Sequence, residues 1–153
     1  MASKETPRGS SGSRGACPRW SVARLDPDLP PSSAAEFARA YFMAGRYRSA
    51  LATLARLPED ALTPALRVLH AAALASVGRA DEAAAATAAA LAAAPGLSIQ
   101  GLTGAAGWGE GEQRRLVETM RLAGFPPCSA AAAATVAPFH LPECRAQATA
   151  GRH

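Results

Sequence analysis

The residue types that bind zinc occur together near the C-terminal end, as Cys128, His140 and Cys144. A closed structural zinc site uses four such ligands with characteristic short spacings between them. This group has no fourth member, and its spacing fits no zinc-binding pattern. We therefore expect no metal ion to bind here.

Residues suited to catalysis are present, but they do not form a catalytic pattern. His70 lies inside an apolar helical segment and has no evident Ser or Cys partner in its sequence context. The glycines of residues 104–111 follow no strand and precede no Lys-Ser/Thr pair, which a phosphate-binding loop requires. We therefore expect no enzymatic activity and no cofactor.

The cysteine count gives an expectation about the compartment. Cys17, Cys128 and Cys144 are an odd number and contain no CxxC motif, so we expect no disulfide framework and a reducing environment. Residues 1–20 lack the apolar stretch of a secretory signal, and no run of about 18 strongly apolar residues could span a bilayer. These observations favour the cytoplasm and argue against a membrane partner.

The chain is moderately basic, with 16 Lys and Arg against 12 Asp and Glu and a net charge of +4 at pH 7. The positive residues are spread along the chain and form no block of like charge, which would mark a nucleic-acid-binding tail. Solvated helix faces explain this distribution most simply. A nucleic-acid-associated accessory protein that uses distributed arginines stays open as a second hypothesis.

Residues that start and stop helices punctuate the middle of the chain, and no segment shows the alternation of a half-buried strand. Ser33 with Glu36 forms a capping-box pattern, and Thr63 is a typical N-cap. Gly45 follows the first helix, where a positive φ is easiest for glycine. The fold class is therefore all-α. The predicted helices cover residues 34–44, 46–57, 64–77, a stretch from near Asp81 to Pro95, a short stretch after Ser98, and 112–123.

Two aromatic features carry further predictions. Phe37 and Tyr41, four residues apart, should share the inner face of the first helix, with Ala38 beside them. Trp108 lies in the glycine-rich stretch 104–111, which should form a loop. Two interpretations of Trp108 stay open: it anchors a partner at the surface, or it folds back over the adjacent helix.

A repeated unit links the four central helices. Gly45 and Gly78 stand at matching positions, since each is followed by Arg and, five residues after the glycine, by Ala. Their separation is close to the period of about 34 residues, with glycine at the turn between two helices, that is typical of tetratricopeptide repeats. The pattern predicts stacked antiparallel helical hairpins, as two full repeats and a capping helix. The positions that define the repeats are Tyr41, Gly45, Tyr47, Ala50, Leu74, Gly78, Ala83 and Pro95.

Three segments in order make this resemblance more specific: AYFMAGRYRSALATLARLP (40–58), LHAAALASVGRADEAAAATAAALAAAPGLSIQGL (69–102) and EQRRLVETMRLAGFP (112–126). Residues 34–126 resemble the C-terminal tetratricopeptide region of bacterial class III adenylate cyclases and of related repeat-bearing transcriptional regulators. In that family the final helix closes with a phrase similar to residues 120–126 here. The resemblance implies a regulatory or scaffolding role.

The chain departs from that family in its organisation. It offers no strands to hold the paired aspartates of a cyclase. We expect residues 1–32 to be disordered, ending in a remnant of an earlier repeat or in an irregular cap. Residues 33–126 should form the repeat domain, and residues 127–153 should be mostly disordered. A fragment of a larger regulator, a truncated remnant without independent function and a free-standing module all fit this organisation.

Stacked repeats leave a concave surface, lined by the first helix of each pair. The residues predicted to face it are Arg39 and Met43 in the first repeat, and Val68 and Ser76 in the second. Arg39 could pair with a carboxylate, and Met43 could adapt to an apolar anchor. The alternative is a solvated Arg39 and a Met43 partly in the core. We predict a protein or peptide partner on this surface.

Overall fold

A computed structural model describes residues 29–105, 107–129 and 141–145 of the 153-residue chain. This part contains α-helices and one 3₁₀ turn but no strand, which confirms the all-α prediction for it. Residues 1–28, where a disordered segment or a repeat remnant was predicted, lie outside the described residues. The helices are α1 (Pro31–Met43), α2 (Tyr47–Leu54), α3 (Pro64–Ser76), α4 (Ala80–Ala93), α5 (Ile99–Thr103) and α6 (Glu110–Leu122), and the 3₁₀ turn is Glu59–Ala61.

Two of the predicted helix starts are confirmed and one is wrong. Thr63 Oγ1 accepts a hydrogen bond from the Leu66 N–H at 3.3 Å, and Ser98 Oγ accepts one from the Gly101 N–H at 3.0 Å. Ser33, in contrast, lies inside the first turn of α1, which begins at Pro31. Proline already has the φ angle of a first helical residue, and its missing N–H is not needed there.

The same turn ends α1, α3 and α6. Gly45, Gly78 and Gly124 follow these helices with φ of 73°, 83° and 84°, which a residue with a Cβ adopts only at a cost. After each glycine, the next N–H bonds back to a carbonyl five residues earlier, and the glycine N–H bonds to one three residues earlier. The first bonds are Arg46 to Tyr41, Arg79 to Leu74 and Phe125 to Met120, at 2.8, 3.0 and 3.0 Å. This is the Schellman motif, which satisfies the last carbonyls of a helix.

Helix α3 lies at the centre and packs against α1, α2, α4 and α6. One side of α3, including Leu66 and Leu69, belongs to a core cluster with Phe42 of α1 and Leu54 of α2. The other side, including Val68, belongs to a second cluster with residues of α4, α5 and α6. Because α3 is covered on so many sides, seven of its residues are buried.

The inner face of α1 differs from the prediction. Ala34, Ala38 and Phe42 form it at a spacing of four residues, and Phe42 is completely buried. Tyr41 is only partly buried, and Phe37 is 45% exposed. A helix buries one stripe, and the sequence alone did not show that Phe42 rather than Phe37 lies on it.

The C-terminal part of the described chain forms a cap on α3. The backbone N–H groups of Ile99 and Gln100, at the start of α5, donate to the carbonyls of Pro126 and Pro127 at 2.9 and 3.0 Å. Residues 141–145 return to this cap, where Leu141 is 2% exposed. Residues 127–129 and 141–145 thus pack on the domain, although the sequence predicted a mostly disordered tail from residue 127.

No helix in the described part of the chain combines the length and the apolar character needed to cross a bilayer.

Candidate functional site

The four residues predicted to line a concave groove do not lie on one open surface. Val68 is completely buried in the second core cluster, together with Val117 and Met120 of α6. Helix α6 of the chain itself therefore covers the part of α3 that was expected to face a partner. Met43 is half-buried and packs against the first cluster, which matches the alternative interpretation that it belongs partly to the core.

Arg39 contacts Trp108 instead of lying free in a groove. Its guanidinium carbon sits 4.3 Å from the centre of the indole ring, and a cation in this position is attracted by the negative face of the ring. The Trp108 Nε1–H donates to the Leu102 carbonyl at 3.0 Å. Trp108 is half-buried, so the structure supports the interpretation in which it folds back over the domain.

Ser76 does line an open depression, which we call the turn cleft. The cleft has a volume of about 550 Å³ and lies between the turn joining α1 to α2 and the last residues of α3. Ser76 Oγ donates to the Ala72 carbonyl of its own helix at 2.7 Å, so this side chain is already held in place. The residues that line the turn cleft are Gly45, Arg46, Tyr47, Arg48, Ser49, Ser76 and Val77.

Helix α6 contributes a further arginine, which the sequence did not single out and which contacts two residues of the cleft wall, Gly45 and Tyr47. Arg115 is half-buried, and its Nη1 lies 3.5 Å from the hydroxyl oxygen of Tyr47. A Cβ added to Gly45 would come within 2.9 Å of the same Nη1 atom. The guanidinium of Arg115 thus lies directly against the turn between α1 and α2, although α6 is far from that turn along the chain.

The aromatic residues beside the cleft are held by neighbouring groups. Tyr47 packs edge-on against Phe42, with ring centres 5.2 Å apart. The Arg46 guanidinium carbon lies 5.2 Å from the centre of the Tyr41 ring. Arg46 directly follows Gly45 in the Schellman turn and Tyr41 is in the last turn of α1, so the turn itself brings this pair together.

The charge at the cleft is positive. Arg46 and Arg48 are exposed, and Arg115 is half-buried. The ion pairs Arg67–Glu59, Arg79–Glu82 and Arg121–Glu143 lie elsewhere. Arg46, Arg48 and Arg115 therefore have no acidic partner within residues 29–105, 107–129 and 141–145. The residues that line the cleft include no Asp or Glu.

Two of the three candidate zinc ligands bond to each other. Cys128 and Cys144 form a disulfide with 5.5 Å between their Cα atoms, so the expectation that no disulfide forms is wrong. Their separation of 16 residues contains no recognisable motif; the packing of residues 126–129 and 141–145 around α5 brings them together. His140 lies outside the described residues. Among the described residues no group of three or more His, Cys, Asp and Glu could hold a metal ion.

His70 is half-buried on α3, and burial lowers its pKa below the usual 6.5 because the charged form loses hydration. The positive charge of Arg79 lowers it further, and Glu82 partly opposes this. The net shift favours the uncharged imidazole.

We compared the chain with protein families, curated proteins and solved structures. It matches no protein-family model and shows no significant similarity to a curated protein or to a solved structure.

Proposed function

We propose that this chain is a non-catalytic protein-interaction module built from tetratricopeptide-type helical hairpins, and that it binds a segment of a partner protein in the turn cleft. The partner is still a protein or peptide, as the sequence predicts, but the binding surface is the turn cleft and not the concave face along α3. Because α6 covers Val68, the concave face along α3 is occupied by the chain itself, whereas the turn cleft is open.

The repeated helical unit supports the module type. The helix pairs α1–α2 and α3–α4 join through Gly45 and Gly78, at matching positions of the repeat and with the same two turn hydrogen bonds at each. Helix α6 ends in a third copy of this turn. This arrangement is what a short repeat array with a terminal capping helix would show, and a regulatory or scaffolding role follows from the resemblance of residues 34–126 to cyclase and regulator C-termini.

The single observation that carries the binding proposal is the turn cleft itself. It is concave, it is lined by polar and charged side chains of two helical pairs, and its volume lies within the range of ligand-binding clefts. Ser76, one of the four residues predicted to contact a partner, lies in its wall.

A peptide-display selection tests this function without knowledge of the natural partner. A library of random peptides is selected against the full chain, and the selected peptides are tested against the variants Ser76→Trp and Arg48→Glu. Ser76→Trp fills the cleft with a large side chain, and Arg48→Glu reverses a charge in its wall. Both variants should abolish or strongly weaken binding. Because Arg48 is exposed, its replacement should leave the fold intact. Ser32→Trp, at an exposed position of α1 away from the cleft, is the matched control. If no peptide is selected, or if the selected peptides bind both cleft variants as tightly as the wild-type chain, the proposed binding function is contradicted.

The proposal also includes the cellular compartment, which the sequence predicts to be the cytoplasm. Thiol-reducing systems of the cytoplasm, the location expected from the sequence, would keep Cys128 and Cys144 as thiols, whereas a disulfide persists in oxidising compartments. The oxidation state in cells therefore decides the compartment. Alkylation with a mass-shifting thiol reagent before and after reduction measures it, and a pair that is already alkylated before reduction supports the cytoplasm.

A further inference from the structure

We propose that the turn cleft selects an acidic segment of a partner protein, whose carboxylates pair with Arg46, Arg48 and Arg115. This inference rests on the proposed function, because it names the chemistry of the partner at the same cleft. It goes beyond the repeat pattern, since Arg115 comes from α6 and not from either helical pair.

Arg115 carries the main argument. Its guanidinium has five N–H donors in a planar fork, which matches the two oxygens of a carboxylate. The guanidinium donates one hydrogen bond to a described residue, the Tyr47 hydroxyl, at the long limit of 3.5 Å. A half-buried cation has lost part of its hydration, and the remaining donors have no acidic group to bind. An incoming carboxylate would supply the missing partner.

Arg46 and Arg48 extend the positive charge along the wall of the cleft. Arg46 is positioned over Tyr41 by the Schellman turn, and Arg48 is exposed in the first turn of α2. Neither has an acidic partner among the described residues. Arg46 and Arg48 thus line the concavity, and Arg115 from a distant part of the chain lies against Tyr47 in its wall. The mutual repulsion of these arginines is relieved when an anionic segment binds.

The surroundings favour a protein segment over nucleic acid. Glu112 and Glu118 lie one helical turn on either side of Arg115 along α6, so the positive charge is confined to the cleft and does not form the extended track that a phosphate backbone requires. Single-stranded nucleic acid also stacks its bases on open aromatic rings. Here Tyr47 packs against Phe42, and Arg46 covers one face of Tyr41.

Fluorescence anisotropy on the full, oxidised chain tests the inference directly. The probes are labelled short peptides of alternating Glu and Ala, of alternating Gln and Ala and of alternating Lys and Ala, and a thymidine oligonucleotide of equal length. Only the Glu-Ala peptide should bind, and its affinity should fall as salt rises because solvent-exposed charges are screened. Tighter binding of the oligonucleotide than of the Glu-Ala peptide would overturn the choice of a protein partner.

Three variants locate the binding. Arg48→Glu should weaken the Glu-Ala peptide by about tenfold or more, since it replaces an attraction by a repulsion. Arg114→Glu makes the same charge change next to Arg115, but Arg114 lines a different depression, so binding should weaken by less than about twofold. Arg115→Lys keeps the charge but loses the planar fork, so an intermediate loss is expected. Equal losses for Arg48→Glu and Arg114→Glu would show binding by net charge alone and overturn the inference.

The two proposals fail in different ways. If peptides selected from the random library are neutral and still lose binding with Ser76→Trp, the module binds peptides in the turn cleft but not acidic ones. If the Glu-Ala peptide and the selected library both fail to bind, the interaction function itself fails. Circular dichroism melts of each variant confirm that a lost interaction is not a lost fold.

Discussion

The helical pairs α1–α4 and the C-terminal cap, formed by α5, α6 and residues 141–145, are held together in different ways. In the pairs, the central contacts are apolar and close: Ala38, Ala50 and Ala72 are completely buried, and they allow neighbouring helices to approach. Most of the contacts among these four helices join helices that are adjacent in sequence, and α1 also packs against α3. Burial of this kind is non-directional and depends mainly on the volume that is filled.

The cap has an apolar cluster of its own, and it adds a few directional contacts between distant residues. The Leu141 N–H donates to Gln100 Oε1 at 2.6 Å, and the Thr87 hydroxyl of α4 donates to the Ala123 carbonyl at 2.9 Å. Gln113 Nε2 donates to the Thr103 carbonyl at 2.8 Å. The disulfide and the ion pair between Arg121 and Glu143 add two further links.

This difference predicts which amino-acid substitutions each region tolerates. The helical pairs should accept apolar substitutions that conserve volume. The cap should be sensitive to the loss of single polar atoms, because a buried group without a partner costs more than the bond itself contributes. Four predictions test this contrast.

The largest effect is expected in the core of the helical pairs. Phe42→Ala should lower the free energy of unfolding by about 3–5 kcal/mol, since a completely buried ring is removed and a cavity is left. Urea denaturation measures it. Phe37→Ala is the control, because its ring is 45% exposed, and it should cost less than about 1 kcal/mol. Similar losses for both variants would mean that the buried stripe of α1 is assigned incorrectly.

Loss of the disulfide should come next and should act on the cap. The bond closes a loop with a separation of 16 residues, so its reduction should cost about 3 kcal/mol through the greater freedom of the unfolded chain. The measurement is urea denaturation with and without a dithiol reductant, with Cys17→Ser as the background so that one cysteine pair remains. Hydrogen exchange at the Leu141 N–H should accelerate more than at α3. An unchanged unfolding midpoint would contradict the prediction.

A smaller effect should follow from the loss of one buried hydroxyl. Thr87→Val keeps the shape but leaves the Ala123 carbonyl at the end of α6 without its donor, which should cost about 1–3 kcal/mol. The matched control is Thr119→Val, since the Thr119 hydroxyl donates to the Arg115 carbonyl of its own helix at 2.7 Å. That carbonyl can still accept the helical N–H four residues later. A control as costly as Thr87→Val would mean that the loss does not come from the long-range bond between α4 and the end of α6.

The smallest expected effect is the pH dependence of stability that comes from His70 on α3. The pKa of His70 is lower in the folded chain than its usual 6.5, so the unfolded chain takes up a proton first as the pH falls. The stability that depends on a neutral His70 should therefore be complete above about pH 6.5 and should be lost as the pH drops through the folded pKa. Urea denaturation at several pH values, compared between the wild-type chain and His70→Gln, isolates this slope. A His70→Gln variant with the same slope would contradict it.

Some features followed from short stretches of sequence. The helical content, the caps at Thr63 and Ser98 and the turn at Gly45 were predictable because each depends on residues within a few positions of one another. The capping role of Ser33 was not, because Pro31 begins the helix earlier and the two local signals compete.

The candidate site was less predictable, and the reason lies in the distances along the chain. The repeat pattern predicted Ser76 as a partner-facing residue, but nothing local shows that it lies beside the turn between α1 and α2, that α6 covers Val68 or that Arg115 reaches Tyr47. The cysteine pair was missed for the same reason, since an odd cysteine count without a motif does not show which two thiols meet.

The sequence by itself determined which segments become helices and where the repeated turns lie, since propensity, caps and glycine conformation are local properties. Only the tertiary structure decided which helix faces are buried against other helices and which stay open to a partner. The packing of α6 on α3 closes the predicted groove and places Arg115 against Tyr47 in the wall of the turn cleft. The packing of residues 126–129 and 141–145 around α5 joins Cys128 to Cys144. These outcomes depend on contacts between residues far apart in the chain, whose free energy is set by mutual shape and burial and not by the identity of any one segment.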